Sequence, residues 1–156
     1  METEMPRPGA EHRALIERMV GSWDAEERML PSPWDPVGGT AEARIEAREG
    51  LDGFHVITDY VQRRNGGESF RGHGVYGWDA SRERYTMYWF DSMGSDPGGP
   101  VLGTLEGDVL TFARDTPRGK SRYVYTFAGD RYDFRIEASS DGETWTTFMD
   151  STYRRA

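Results

Sequence analysis

The 156-residue chain has no cysteine, which removes disulfide frameworks, thiolate nucleophiles, CxxC redox chemistry and cysteine-based zinc sites together. Lysine is almost missing too, with Lys120 alone beside eighteen arginines. A net charge of −8 and a pI near 4.9 leave no basic face for a phosphate backbone, so nucleic acid is not an expected partner. No apolar run approaches the roughly 18 residues of a membrane span, and no membrane association is expected. The start, Met1-Glu2-Thr3-Glu4-Met5-Pro6, is acidic and lacks the hydrophobic segment of a signal peptide, so the expected location is cytoplasmic. His12, His55 and His73 are the only histidines, and they show no HExxH or comparable spacing, so neither a metal nor another cofactor is expected. There is no GxSxG elbow, P-loop or dinucleotide fingerprint. Gly72-His73-Gly74 is no phosphate cradle, because no helix follows it to supply free N–H groups.

What the chain does have is 13% aromatic residues and a clear period of two. Residues 1–8, with Pro6 and Pro8, read as a flexible tail, and residues 9–156 as a single domain. One helix is expected at about 10–20: His12, Leu15, Ile16 and Met19 recur at helical spacing, and Gly21 suits the position just past its end. Alternation then takes over. Strands are predicted at 22–30, 40–48, 54–63, 69–78, 84–92, 101–106, 109–115, 121–128, 131–138 and 144–154. Turn signals such as Asn65-Gly66-Gly67, Glu106-Gly107-Asp108 and Gly129-Asp130 separate them. About ten short strands joined by tight turns predict an all-β fold, an antiparallel up-and-down barrel with one N-terminal helix, because closure removes the two long edges of an open sheet. Gly94 to Pro100 reads as the most flexible loop.

The turns also set the register. A three-residue loop at Asn65-Gly66-Gly67 places Arg64 opposite Glu68 and Tyr60 opposite Gly72, with Val56 meeting Tyr76 and Phe54 meeting Trp78. A four-residue loop at Ala80–Glu83 then sets Gly74 opposite Trp89 and Gly72 opposite Asp91. An aromatic laid over a strand glycine is a stabilising arrangement. The wall so predicted holds Phe54, Val56, Thr58, Tyr60, Phe70, Gly72, Gly74, Tyr76, Trp78, Tyr85, Met87 and Trp89, with Asp91 as its one charge. Asp59 and His73 meet on the opposite, solvent-facing side, where such a pair adds little.

Gly21-Ser22-Trp23 at the first strand, with Arg154-Arg155 ending the last, resembles the Gly-x-Trp opening of lipocalins and other calycins. In those the tryptophan packs across the barrel floor beneath an arginine of the final strand. A more specific resemblance spans most of the chain. Gly9-Ala10-Glu11-His12 with Leu15, Val20-Gly21-Ser22-Trp23, Gly53, Phe70-Arg71-Gly72-His73-Gly74, Gly77-Trp78-Asp79 and Trp89-Phe90-Asp91-Ser92-Met93-Gly94 resemble landmarks of the bacterial domain of unknown function 1579 family. Trp78, where tyrosine is more typical, and Asp52-Gly53, where two glycines are usual, depart from that pattern. The resemblance implies a lipocalin- or calycin-like barrel and no established reaction. Haem-binding barrels related to nitrobindin use a histidine late in the chain, and none follows His73 here.

The expected function is binding of a small, mostly apolar molecule in the lumen, with Tyr60, Tyr76, Met87 and Trp89 as walls and Asp91 fixing its polar end. Asp91 has a structural alternative, accepting hydrogen bonds from Ser92 or from backbone amides of the following loop. Two other classes stay open. One is an isomerase- or hydrolase-like barrel with Asp91 as base and a tyrosine as acid. The other is a non-catalytic interaction module, such as a homodimer, built on exposed aromatics around Trp34 and Tyr88.

Overall fold

The computed structural model describes residues 4–33 and 35–156. In chain order they form helix α1 (Ala10–Met19) and strands β1 (Gly21–Met29), β2 (Gly39–Gly50), β3 (His55–Arg64), β4 (Gly67–Asp79) and β5 (Arg84–Asp91). Strands β6 (Val101–Glu106), β7 (Val109–Thr116), β8 (Gly119–Ala128), β9 (Arg131–Ser139) and β10 (Thr146–Arg155) follow. Each strand pairs antiparallel with its neighbours in sequence, and β1 pairs with β10 to close the barrel. This is the architecture that the period-two pattern and short turns predict.

Helix α1 plugs the lower end. It buries Leu15 and Met19, and the Tyr85 hydroxyl donates to the Glu11 carbonyl at 2.8 Å. His12 lies at the helix start, where its Nδ1 accepts the Gly9 N–H at 3.0 Å and its ring meets Phe54 edge-on. It therefore caps its own helix. Gly21 turns the chain from helix to β1 with φ at 143°, and a Cβ there would overlap the Arg155 guanidinium. Trp23, fully buried, forms the floor and donates its indole N–H to the Met19 carbonyl at 2.9 Å. Arg155 lies 4.3 Å over the Trp23 ring and donates to the Val20 carbonyl. The stacking arginine is Arg155 and not Arg154 because Trp23 and Arg155 are direct cross-strand partners, whereas Arg154 sits opposite Asp24 on the outer face.

The predicted register holds from Phe70 onward: Gln62 faces Phe70, Tyr60 faces Gly72, Val56 faces Tyr76, Gly74 faces Trp89 and Gly72 faces Asp91. Two details differ. The β3–β4 turn is a two-residue one, with Arg64 opposite Gly67, and a bulge beside Ser69 restores the register two pairs later. Asn65 and Gly66 both take positive φ, which a two-residue hairpin turn demands. Phe54 does not face Trp78. Leu51, Asp52 and Gly53 all have positive φ, so the chain makes a tight turn there and enters β3 only at His55.

Most of the interior is filled. Trp23, Val56, Tyr76, Tyr85, Met87, Leu110, Phe112, Tyr125, Phe127, Tyr132 and Tyr153 form one buried cluster in the lower and middle layers. The Trp89 ring fills the room left by Gly72, where a Cβ would strike it, whereas a Cβ at Gly74 would strike the Thr58 hydroxyl and the Tyr76 ring, with Trp89 close behind.

Candidate functional site

Among the described residues no helix lies over the upper end. Its inward-facing side chains, including Met29, Gln62, Phe70, Trp89, Tyr123, Phe134 and Met149, are only half-buried, in contrast to the sealed layers below. The wall is also incomplete there. β6 pairs with Tyr85, Thr86 and Met87 of β5 and no further, so Tyr88–Asp91 have a strand partner only in β4. Likewise Arg114–Thr116 of β7 pair only with β8. The chain from Ser92 to Pro100 runs without strand structure between these two half-paired edges.

Asp91 stands at this rim with both oxygens engaged. Oδ2 accepts the Trp89 indole N–H at 3.1 Å and Oδ1 accepts the Met93 amide at 3.0 Å. The carboxylate thus pins Trp89 against the glycines and starts the following loop. Ser92 plays no part in this: its hydroxyl accepts the Arg71 amide instead.

Below the rim is a charge that the sequence reading missed. Glu27 of β1 is fully buried on the inner face, so Asp91 is not the lumen's lone acid. Its Oε1 accepts the Tyr60 hydroxyl at 2.5 Å and the Gln62 amide at 3.0 Å, and its Oε2 accepts the Tyr153 hydroxyl at 2.5 Å. Burial, and next the negative charge of Glu27, push the Tyr60 and Tyr153 phenols above their ordinary range. Burial likewise raises Tyr76, Tyr125 and Tyr132, which keeps these hydroxyls protonated as donors. The short Ala41, directly across from Glu27, and Ala43, directly across from Gln62, leave room for this network. A signal for Glu27 was available: it stands four residues after Trp23 on the same strand, hence on the same face.

Tyr60, Trp89 and Asp91 come together at the upper end, with the Tyr60 and Trp89 ring centroids 5.9 Å apart. Tyr76 and Met87 lie a layer lower in the packed core, where Tyr76 shares a 3.1 Å hydroxyl contact with Tyr125. Asp59 and His73 meet at 2.8 Å on the outer face, beside Arg48, and are solvent-exposed. Two open concavities lie on the outside of the sheet, one over β9–β10–β1–β2 and one over β3–β5, and both are lined largely by outward-facing residues. Trp34 lies outside the described residues; Tyr88 is exposed. Among the described residues no cluster of three or more His, Asp or Glu could hold a metal ion, and no helix is long and apolar enough to cross a membrane.

The closed ten-strand wall, the helix plug and the Trp23–Arg155 stack define a lipocalin-like small β-barrel. The chain belongs to the family described as protein of unknown function, DUF1579, whose profile matches residues 7–155. Among solved structures it is similar to Rv2717c from M. tuberculosis, with a TM-score of 0.68 and 12% identity over 95% of this chain and 98% of that one. It is also similar to the S-type phycobiliprotein lyase CPES from Guillardia theta, with a TM-score of 0.63 and 13% identity over 92% of each chain. At such identities the likeness is one of fold. No curated protein matches the chain in sequence.

Proposed function

We propose that this protein binds a small, mostly apolar molecule at the upper end of its barrel. The observation that carries the reading is the contrast between the two ends. The lower is sealed by α1, while the upper presents Phe70, Trp89, Tyr123 and Phe134 facing inward and half-buried beside an incomplete wall. Inward-facing apolar surface that a barrel leaves within reach of solvent is the usual substrate of small-molecule recognition. Trp89 and Tyr60 form the aromatic side of the site, Asp91 holds Trp89 in place, and Tyr76 and Met87 support it from below. That one structural neighbour is a phycobiliprotein lyase agrees with a barrel that handles a small ligand.

Nile red, a neutral apolar dye, tests this by fluorescence titration. One molecule per barrel is expected, with binding strongly weakened in Trp89→Ala and Phe70→Ala variants that keep the wild-type circular dichroism. Unchanged binding in both variants would place the dye elsewhere and overturn the proposal.

A second reading rests on a different surface. Tyr88, Phe90 and Met93 are exposed on and just after β5, next to its unpaired edge, and would suit an interface. Light scattering on a sizing column distinguishes the two: a monomer removes the homodimer form of that reading and leaves the ligand site untouched.

A further inference from the structure

A carboxylate taken out of water is normally matched by a cation. Glu27 is matched only by neutral donors, the Tyr60 and Tyr153 hydroxyls and the Gln62 amide, and among the described residues no arginine, lysine or histidine pairs with it. A carboxylate offers roughly four acceptor directions, and here three are used, with Oε2 taking Tyr153 alone. Beside that free direction is a second unsatisfied group. Ser151 is the direct cross-strand partner of Glu27, is 8% exposed, and among the described residues its hydroxyl has no hydrogen-bond partner. Buried hydroxyls in folded proteins are rarely left so, because an unmade bond there costs the full desolvation of the group.

Gln62 separates this cluster from the open end. It is half-buried, with its Nε2 bonded to Glu27 and, at 3.2 Å, to Tyr60, while its Oε1 accepts the Ser69 hydroxyl at 3.0 Å near the rim. Its amide occupies the place of an incoming N–H donor, and its contact to Ser69 shows that the side chain already has a partner toward solvent. Above it are aromatic faces: the Tyr60 centroid lies 6.0 Å from that of Phe70 and 5.9 Å from that of Trp89.

We propose that the buried Glu27–Ser151 pair is the seat of a protonated amine, whose ammonium displaces the Gln62 amide and donates to both while its apolar body lies against Phe70 and Trp89. This rests on the reading of the upper end as a ligand site and adds the class of ligand. An ammonium supplies what the cluster lacks: a positive charge for Glu27 and a hydrogen-bond partner for Ser151. The aromatic rings favour a cation further through their π faces. Arg114 lies over the Tyr123 ring at the open end, but an organic anion reaching the Glu27 seat itself would meet a like charge there and is disfavoured.

Calorimetric titration at neutral pH with naphthylmethylamine, naphthylmethanol and naphthoate tests the proposal. The amine is expected to bind at one site about tenfold or more tighter than the alcohol, and the naphthoate more weakly than either. Two variants sharpen it. Ser151→Ala should leave the urea midpoint unchanged or raised, since it removes an unsatisfied group, yet weaken the amine several-fold. Gln62→Ala should tighten the amine, since it removes the competitor. An alcohol or a carboxylate binding as tightly as the amine overturns the proposal, and so does amine affinity unchanged in both variants. If all three compounds bind alike and all are lost in Trp89→Ala, the amine seat fails and the ligand site stands. If none binds, both readings fall.

Discussion

Tyr153→Phe is the sharpest probe of the buried network. The Tyr153 ring is 1% exposed and stacks on Tyr132 at 5.0 Å, so phenylalanine keeps the packing and deletes a single oxygen. Among the described residues that hydroxyl is the only donor to Glu27 Oε2, at 2.5 Å. A hydrogen bond to a charged group contributes about 1.5–3 kcal/mol, and its loss here leaves a buried acceptor unmade. Tyr60→Phe removes an equally short bond, but Oε1 keeps the Gln62 amide at 3.0 Å, so its cost should be about half. For a chain of this length each kcal/mol moves the melting temperature by about 2–4 °C. Tyr153→Phe should therefore lower it by about 4–10 °C and Tyr60→Phe by about 2–5 °C. Both variants are also made in a Ser151→Ala background, which keeps the unpartnered neighbouring hydroxyl out of the comparison. Urea unfolding followed by fluorescence gives both values, with the m-value checked for constancy. A Tyr153→Phe cost below about 0.5 kcal/mol in that background, or the reverse order of the two variants, would refute the reasoning.

The remaining predictions concern the ends of the barrel and its alkaline limit. Arg155→Ala should cost about 1 kcal/mol in urea unfolding through loss of the Trp23 stack and the Val20 bond, and Arg154→Ala less than about 0.5 kcal/mol. Gly72→Ala should cost about 1–3 kcal/mol by driving Trp89 off the wall, with a change in tryptophan emission as its N–H leaves Asp91; wild-type emission and stability would contradict the close approach. The phenols of Tyr76, Tyr125, Tyr132 and Tyr153 are raised above their ordinary value of 10.0. The unfolded chain therefore ionises first: stability is complete below about pH 10 and falls as pH rises beyond it, by up to about 1.4 kcal/mol per pH unit for each phenol. Circular dichroism from about pH 9 to 12 should show cooperative unfolding, and a stability flat across that range would contradict it.

The strands and most of the register were legible because both rest on local rules. Alternation such as Ala41, Ala43, Ile45, Ala47 marks one face of β2, and the four-residue turn before Arg84 places Gly74 against Trp89 as counted. The failures came where backbone geometry outweighed pattern. Phe54 alternates correctly with Val56, yet three positive-φ residues before it hold it out of the sheet. The bulge beside Ser69 absorbs a residue without any composition signal, so the sequence suggests a three-residue loop where the turn has two, and the register beyond it is unaffected. Glu27 is hidden in the sequence for a different reason. Its charge argues for solvent, and only the tertiary placement of Tyr60, Gln62 and Tyr153, from β3 and β10, makes its burial sustainable. Ser151 is legible only once the hydrogen bonds around it are known.

A proton–nitrogen NMR titration with naphthylmethylamine and naphthylmethanol tests most directly the claim that the upper end of the barrel is a ligand site. Saturating shifts are predicted for the Trp89 indole, the Gln62 side-chain amide and the backbone of Gly72 and Met93, while the Trp23 indole on the plugged floor stays still. Shifts confined to Tyr88 and Phe90 on the outer face, or none with either compound, would contradict it.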